Sequence, residues 1–103
     1  MATAPEKIHI ESTVDTCGGK PRITGTRIRV QDIVVWIEAG RSPDEIVGSY
    51  AQLTLADVYA ALAYYHDNRA VIDGQIQEDD ELVRRLKSKL APGLIDRARD
   101  QAT

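Results

Sequence analysis

The sequence has little of what secreted and membrane-spanning proteins need. It contains a single cysteine, Cys17, so no disulfide bond can form within the chain. Leaving tyrosine aside, its longest apolar run is residues 33–37, whereas a membrane-spanning helix needs about 20 apolar residues. Residues 1–7 lack the apolar stretch of a signal peptide. We therefore expect a cytoplasmic protein that makes no contact with membranes.

Residues that could carry catalysis are also scarce. His9 and His66 are isolated in the sequence, and Cys17 has no neighbour at the spacing of metal ligands. The segment Gly18-Gly19-Lys20-Pro21 contains glycines but lacks the pattern of a phosphate-binding loop. We therefore expect no enzymatic activity, no metal and no cofactor, and we expect the function to lie in binding other macromolecules.

The composition is that of a small globular domain with unevenly placed charge. A chain of 103 residues fits one domain, and with 43% hydrophobic residues it is too apolar for wholesale disorder. The net charge is -3, yet residues 20–41 carry a net +3, residues 42–82 a net -8 and residues 83–103 a net +4. Such blocks indicate several partners or one partner of mixed charge, with an ordinary solvated surface as the alternative.

Apolar spacing and capping residues predict four helices, over residues 31–39, 43–49, 55–67 and much of 70–90. Gly40 is a stop signal for the first, and Ser42-Pro43 is a typical start for the second. Thr54 and Asp57 form the capping box of the third, whose apolar stripe is expected to be Leu55, Val58, Tyr59 and Leu62. The residues expected in one buried core are Ile33, Trp36, Ile37, Ile46, Val58 and Leu62.

The region before the first helix has β character. Ile8 and Ile10 alternate with polar residues, which predicts a short strand. Further on, two β-prone runs flank Thr24-Gly25, a pattern typical of a hairpin-like loop, and this loop carries three arginines and no acid. We therefore expect a short β-hairpin ahead of the helices.

The second and third helices, joined by the turn of residues 50–53, have the layout of a helix-turn-helix with the first helix packed across them. DNA binding is one interpretation, and a plain three-helix bundle is the other. The residues expected to contact DNA are Lys20, Arg22, Arg27 and Arg29 at phosphates and Gln52 and Thr54 near bases. Against direct base recognition, residues 55–67 contain no Arg, Lys, Asn or Gln, and Asp57 would repel DNA.

The last predicted helix carries an apolar stripe with heptad spacing, formed by Ile72, Ile76, Val83, Leu86 and Leu90, with Asp79 in the same line. One interpretation is a core helix that folds back on the bundle. The other, which we favour, is a helix that leaves the bundle after about Gly74 and binds another chain, a second copy included. The residues expected to bind this partner are Ile76, Val83, Leu86 and Leu90. The chain is thus divided into a helix-turn-helix domain over 1–75 and a helical arm with a frayed tail over 76–103.

Four segments together give a family resemblance: residues 19–28 (GKPRITGTRI), 33–40 (IVVWIEAG), 42–46 (SPDEI) and 53–65 (LTLADVYAALAYY). The chain resembles the bacterial domain-of-unknown-function family 433. The resemblance implies a homeodomain-like helix-turn-helix after a short β element, in which Arg22, Thr24, Gly25, Thr26 and Arg27 match the hairpin. It also implies likeness to VapB-type antitoxins that are paired with a PIN-like ribonuclease toxin.

From residues and resemblance together we expect an all-α fold, with a homeodomain-like trihelical core, an N-terminal β-hairpin and a C-terminal helical arm. The expected function is that of an antitoxin-like regulator, a homo-oligomer that binds and neutralises a PIN-like ribonuclease and also binds its own operator DNA. The alternative is an oligomerising protein-interaction module that does not bind DNA.

Overall fold

The computed structural model describes residues 7–90, which form a mostly helical fold with one small antiparallel sheet. The predicted leader and tail lie outside these residues. The strands and α-helices in chain order are β1 (Ile10–Glu11), β2 (Arg22–Ile23), α1 (Val30–Glu38), α2 (Pro43–Ser49), α3 (Leu55–Asp67) and α4 (Arg69–Lys89), and a short 3-10 helix (Cys17–Gly19) lies between the strands. All four predicted helices are confirmed. None of the described helices combines the length and the apolarity needed to span a membrane.

The helix ends follow the predicted capping residues. Gly40 adopts a φ of 97°, and the backbone N–H of Arg41 donates to the Trp36 carbonyl at 3.0 Å, so α1 ends in a Schellman motif. Ser42 Oγ accepts from the backbone N–H of Glu45 at 3.1 Å, with Pro43 as the first helical residue of α2. The turn between α1 and α2 is thereby fixed by local sequence.

The sheet differs from the predicted hairpin in its pairing. β2 pairs with β1, with Ile10 opposite Ile23 and Glu11 opposite Arg22. The Thr24-Gly25 loop closes as a tight turn, in which the Thr26 N–H donates to the Ile23 carbonyl at 3.0 Å and Gly25 takes a φ of 77°. Beyond that turn the two arms of the loop meet at one isolated bridge, Arg22 to Arg29. The second strand is therefore paired mainly with a segment about a dozen residues earlier.

One apolar core joins the sheet and all four helices. Its buried members are Ile23, Ile28, Val30, Ile33, Val34, Ile46, Leu53, Val58, Ala61, Tyr65 and Ile72. Of the six predicted core residues, Ile33, Ile46 and Val58 are fully buried. The other three, Trp36, Ile37 and Leu62, pack against the core and stay partly exposed. The shallow core fits a chain of this size.

The predicted stripe on α3 is confirmed for Val58 and Leu62, which face the core, and is wrong for Leu55 and Tyr59. Leu55 and Tyr59 are 41% and 58% exposed, whereas Ala61 and Tyr65 are buried beside Val58. The small side chain of Ala61 lies on the buried side, and the Tyr65 hydroxyl donates to Asp73 Oδ1 on α4 at 2.7 Å. The inner face of α3 is therefore rotated away from Leu55 and Tyr59, because polar bonds as well as apolar area determine which side faces inward.

Helix α4 runs without a break through the predicted domain boundary at residue 75. Ile72 is fully buried, and Ile76 packs against the core. The helix leaves the bundle after Asp79 rather than after Gly74, because Asp79 still contacts residues near and on α1. Every residue from 80 to 90 is exposed. We call residues 80–90 the distal arm.

Candidate functional site

Asp79 lies where the distal arm meets the bundle. Its Oδ1 accepts from Lys20 Nζ at 3.4 Å, and its Oδ2 accepts from Gln31 Nε2 at 2.7 Å and from Arg29 Nη1 at 3.4 Å. Burial disfavours the charged form, but the charge of Lys20, the Gln31 amide and the Arg29 guanidinium outweigh it and hold the pKa of Asp79 below its ordinary value. Asp79 therefore anchors α4 to its own bundle, although its place in the heptad pattern suggested a position facing another chain.

Four predicted DNA contacts lie in residues 20–29, which we call the arginine loop. Arg22 is 8% exposed, and its Nη2 pairs with Glu11 Oε1 at 2.8 Å across the sheet. Lys20 is held by Asp79, and Arg29 is held both by Asp79 and by Asp32. Among these four bases, Arg27 is the one that is exposed and has no ion-pair partner within the described chain. The loop thus offers far less free positive charge than its sequence suggests.

The two remaining predicted DNA contacts lie at the start of α3. Gln52 is exposed in the turn that joins α2 to α3. Thr54 Oγ1 accepts from the Asp57 N–H at 3.1 Å, so its hydroxyl caps the helix. The exposed residues of α3 include no lysine or arginine; they are Leu55, Ala56, Tyr59, Ala63, His66 and Asp67. This surface is poorly suited to a phosphate backbone.

Asp57 completes the predicted capping box of α3 and also makes a contact with the N-terminal segment that the sequence did not indicate. It is 3% exposed, so it does not present a charge to DNA as predicted. Its Oδ2 accepts from the Thr54 N–H at 3.0 Å, and its Oδ1 accepts from His9 Nδ1 at 2.7 Å. Burial opposes ionisation, but these bonds, with Lys7 at 3.8 Å, hold the pKa of Asp57 below its ordinary value. The His9–Asp57 pair joins the N-terminal segment to α3.

The distal arm carries an apolar face with no cover in the described chain. Leu82, Val83, Leu86 and Leu90 are 51%, 47%, 50% and 48% exposed. Val83, Leu86 and Leu90 continue the line that Ile72 and Ile76 begin inside the bundle. Of the four predicted partner-binding residues, Val83, Leu86 and Leu90 thus share one exposed face, whereas Ile76 packs on the core at its base.

A cavity of about 200 Å³ opens between α1 and α4 at the base of the arm. Its apolar lining comes from Val35, Trp36 and Ile76, and its polar lining from Arg29, Gln31, Asp32, Asp79 and Asp80. Gln31 is 3% exposed, and its Oε1 has no hydrogen-bond partner within the described residues. The cavity is smaller than the roughly 300–1,000 Å³ of most ligand pockets, and its size suits a single side chain from another molecule.

The described residues thus form a mostly helical domain whose outstanding surface is an uncovered helical face. The sequence profile of the family described as "Protein of unknown function (DUF433)" matches residues 10–65, just over half of the chain. The chain belongs to this family. The matched segment ends within α3, so the distal arm lies outside it.

A solved structure supports the same assignment. It is the crystal structure of a DUF433 member protein from Anabaena variabilis ATCC 29413, which is 38% identical in sequence. The match covers 67% of this chain and 68% of that one, with a TM-score of 0.65. No curated protein matches the chain.

Proposed function

We propose that this protein is an antitoxin-like binding protein, in which a homeodomain-like trihelical core supports an arm that binds a PIN-like ribonuclease. The observation that carries the proposal is the apolar face of the distal arm, Leu82, Val83, Leu86 and Leu90, each about half exposed. Fully burying an aliphatic side chain is worth roughly 1.5–3 kcal/mol. Clustered on one face of a short helix, these four side chains favour contact with an apolar groove of another protein.

The charge of the arm supports a protein partner rather than a nucleic acid. The arm begins with Asp80 and Glu81 and continues with Arg84, Arg85, Lys87 and Lys89. Mixed charge around an apolar line is typical of a helix-in-groove interface, whereas a phosphate backbone favours bases of one sign. The family resemblance supplies the class of partner, a PIN-like ribonuclease.

Leu86→Asp with Leu90→Asp is expected to abolish binding without unfolding the bundle, because both residues lie beyond the last contact between α4 and the core. The test is co-expression with the protein of the adjacent gene, which we expect to be a PIN-like ribonuclease, followed by affinity capture and circular dichroism. Gln77→Asp with Ser88→Asp is the matched control, since it adds the same charge on the opposite side of α4. Capture that is equal for both variants contradicts the proposal, as does unfolding of the first.

Operator binding is a second candidate, favoured by the two capped helices α2 and α3, their short turn, and the exposure of Gln52 and Arg27. If DNA is bound, Arg27→Ala should weaken binding to all sequences and lower the salt dependence by about one counterion. Gel-shift titrations with the upstream DNA at two salt concentrations measure both effects. Arg84→Ala, which removes an exposed base from the arm, is the control. Unchanged affinity for Arg27→Ala excludes the loop as a DNA contact.

A further inference from the structure

The charged residues of the distal arm and the turn before it change sign along the helix. On the side toward the bundle lie Glu78, Asp80 and Glu81, and toward the far end lie Arg84, Arg85, Lys87 and Lys89. No ion pair links these two groups within the described chain. An arm of this kind is complementary to a copy of itself that runs in the opposite direction, since acids then face bases at both ends.

We propose that, in the free protein, the distal arms of two copies pair antiparallel along this face. The inference rests on the proposed function, in that the same face binds the ribonuclease, and it adds that self-pairing competes with that binding. A parallel pair is disfavoured, because it sets the seam residue Asp79 opposite Asp79 of the second copy. The antiparallel direction sets Leu90 opposite Asp79 instead.

The heptad spacing gives the register of this pair. In antiparallel paired helices, a residue at heptad position a lies opposite a residue at position d. Val83, at position a, therefore packs against Leu86, at position d, of the second copy. In that register Asp80 lies beside Lys87 of the second copy. Because Asp80 and Lys87 are seven residues apart, about 10.5 Å along the helix, they do not pair within one chain. The two-fold symmetry then forms the Asp80–Lys87 pair twice.

The cavity at the base of the arm fits the same register. Leu90 of the second copy comes opposite Asp79, at the mouth of the cavity lined by Val35, Trp36 and Ile76. A volume of about 200 Å³ is enough for one leucine side chain and too small for most ligands. Leu90, which is 48% exposed in the single chain, thereby reaches the apolar side of a cavity whose other five lining residues are polar or charged.

The pair is expected to be weak and readily exchanged. The distal arm is eleven residues long, about 16 Å of helix, so the contact lies below the roughly 1,200 Å² that stable interfaces bury. A partner with a larger complementary groove can therefore displace the second copy. The arms pair when the partner is absent, and binding of the partner separates them.

Exchanging the two charges tests the direction and the register together. Asp80→Lys alone and Lys87→Asp alone should each weaken self-association of the full chain about tenfold, because both symmetric pairs become repulsive. An equimolar mixture of the two variants should associate as strongly as the wild type, and so should the double variant. Sedimentation velocity over a series of protein concentrations measures this, with circular dichroism to confirm folding. The control is Arg85→Asp, which makes a charge change of the same size off the Asp80–Lys87 flank.

The outcomes separate this inference from the proposed function. Recovery of association in the mixture supports the antiparallel pair. A wild-type chain that is monomeric at every concentration, or a mixture that does not recover, overturns it. If the wild type is monomeric but still captures the ribonuclease in a Leu86-dependent way, self-pairing is wrong and the proposed function stands. If the mixture recovers and no ribonuclease binds, the proposed function fails and the pair stands.

Discussion

Replacing Asp57 with alanine is expected to lower the free energy of unfolding by about 3 kcal/mol, a large part of the roughly 5–15 kcal/mol that holds a small domain folded. The variant keeps the cap made by Thr54 Oγ1 but loses the capping-box bond from the Thr54 N–H to the Asp57 carboxylate, which costs about 1 kcal/mol. The rest follows because the half-buried His9 loses its partner, and an unsatisfied group of this kind costs about 1–3 kcal/mol. Urea denaturation followed by circular dichroism measures the change.

Asp67→Ala is the control for this prediction, because Asp67 is an exposed acid at the far end of the same helix. Its removal should leave stability nearly unchanged. A loss below about 1 kcal/mol for Asp57→Ala would show that the His9–Asp57 pair contributes little beyond the cap. His9→Ala, which keeps the cap intact, should fall between the two variants.

The same carboxylate makes stability depend on pH. The pKa of Asp57 is lower in the folded chain than its ordinary 3.8, so its contribution is fully present above that value and disappears as the pH falls through the folded pKa. The pKa of Asp79 is also lowered in the folded chain, so its contribution to stability changes with pH in the same direction. The urea concentration at the unfolding midpoint of the wild type should therefore decrease when the pH is lowered below about 4. Asp57→Asn, which keeps the shape but not the charge, should show a smaller decrease.

The second large expected effect is a difference in stability between alanine variants at two residues of one apolar stripe. Ile72→Ala is expected to cost about 2–5 kcal/mol, because Ile72 is fully buried and its loss leaves a cavity in the core. Leu86→Ala, fourteen residues further along the same helix, is expected to change stability by less than about 0.5 kcal/mol, because Leu86 is half exposed and touches no core residue.

Urea denaturation of both variants at a low protein concentration, where copies do not associate, decides this prediction. Equal losses for Ile72→Ala and Leu86→Ala would mean that the whole stripe belongs to the core in solution, and that the distal arm is not a free surface. A neutral Ile72→Ala would contradict the packing of α4 on the bundle.

Features that depend on neighbouring residues could be predicted from the sequence. Gly40, Ser42 and Thr54 fix helix ends through bonds that span three to five residues, and all three act as expected. The heptad spacing likewise located the stripe on α4. It could not show where the stripe passes from core to solvent, because that point is determined by Asp79 and residues about 50 positions earlier.

The features that could not be predicted from the sequence are contacts between residues far apart in the chain. His9 and Asp57 are 48 residues apart, and the one sequence signal for Asp57 was its capping box. The sequence predicted Arg22 to be a free base, but in the sheet Arg22 lies opposite Glu11, pairs with it and is buried. The α3 stripe was misassigned because alanine packs closely, so that a face with Ala61 can be buried in preference to one with Leu55.

The anchoring of α4 at Asp79 also determines how the distal arm can be helical at all. Helix formation has a costly nucleus, and a segment of eleven residues alone would be mostly unfolded in water. Here residues 69–79 are held on the bundle and supply that nucleus, so each residue of the arm only extends an existing helix. A partner therefore meets a preorganised helix and need not order the chain on binding, which favours fast association even where the contact area is small.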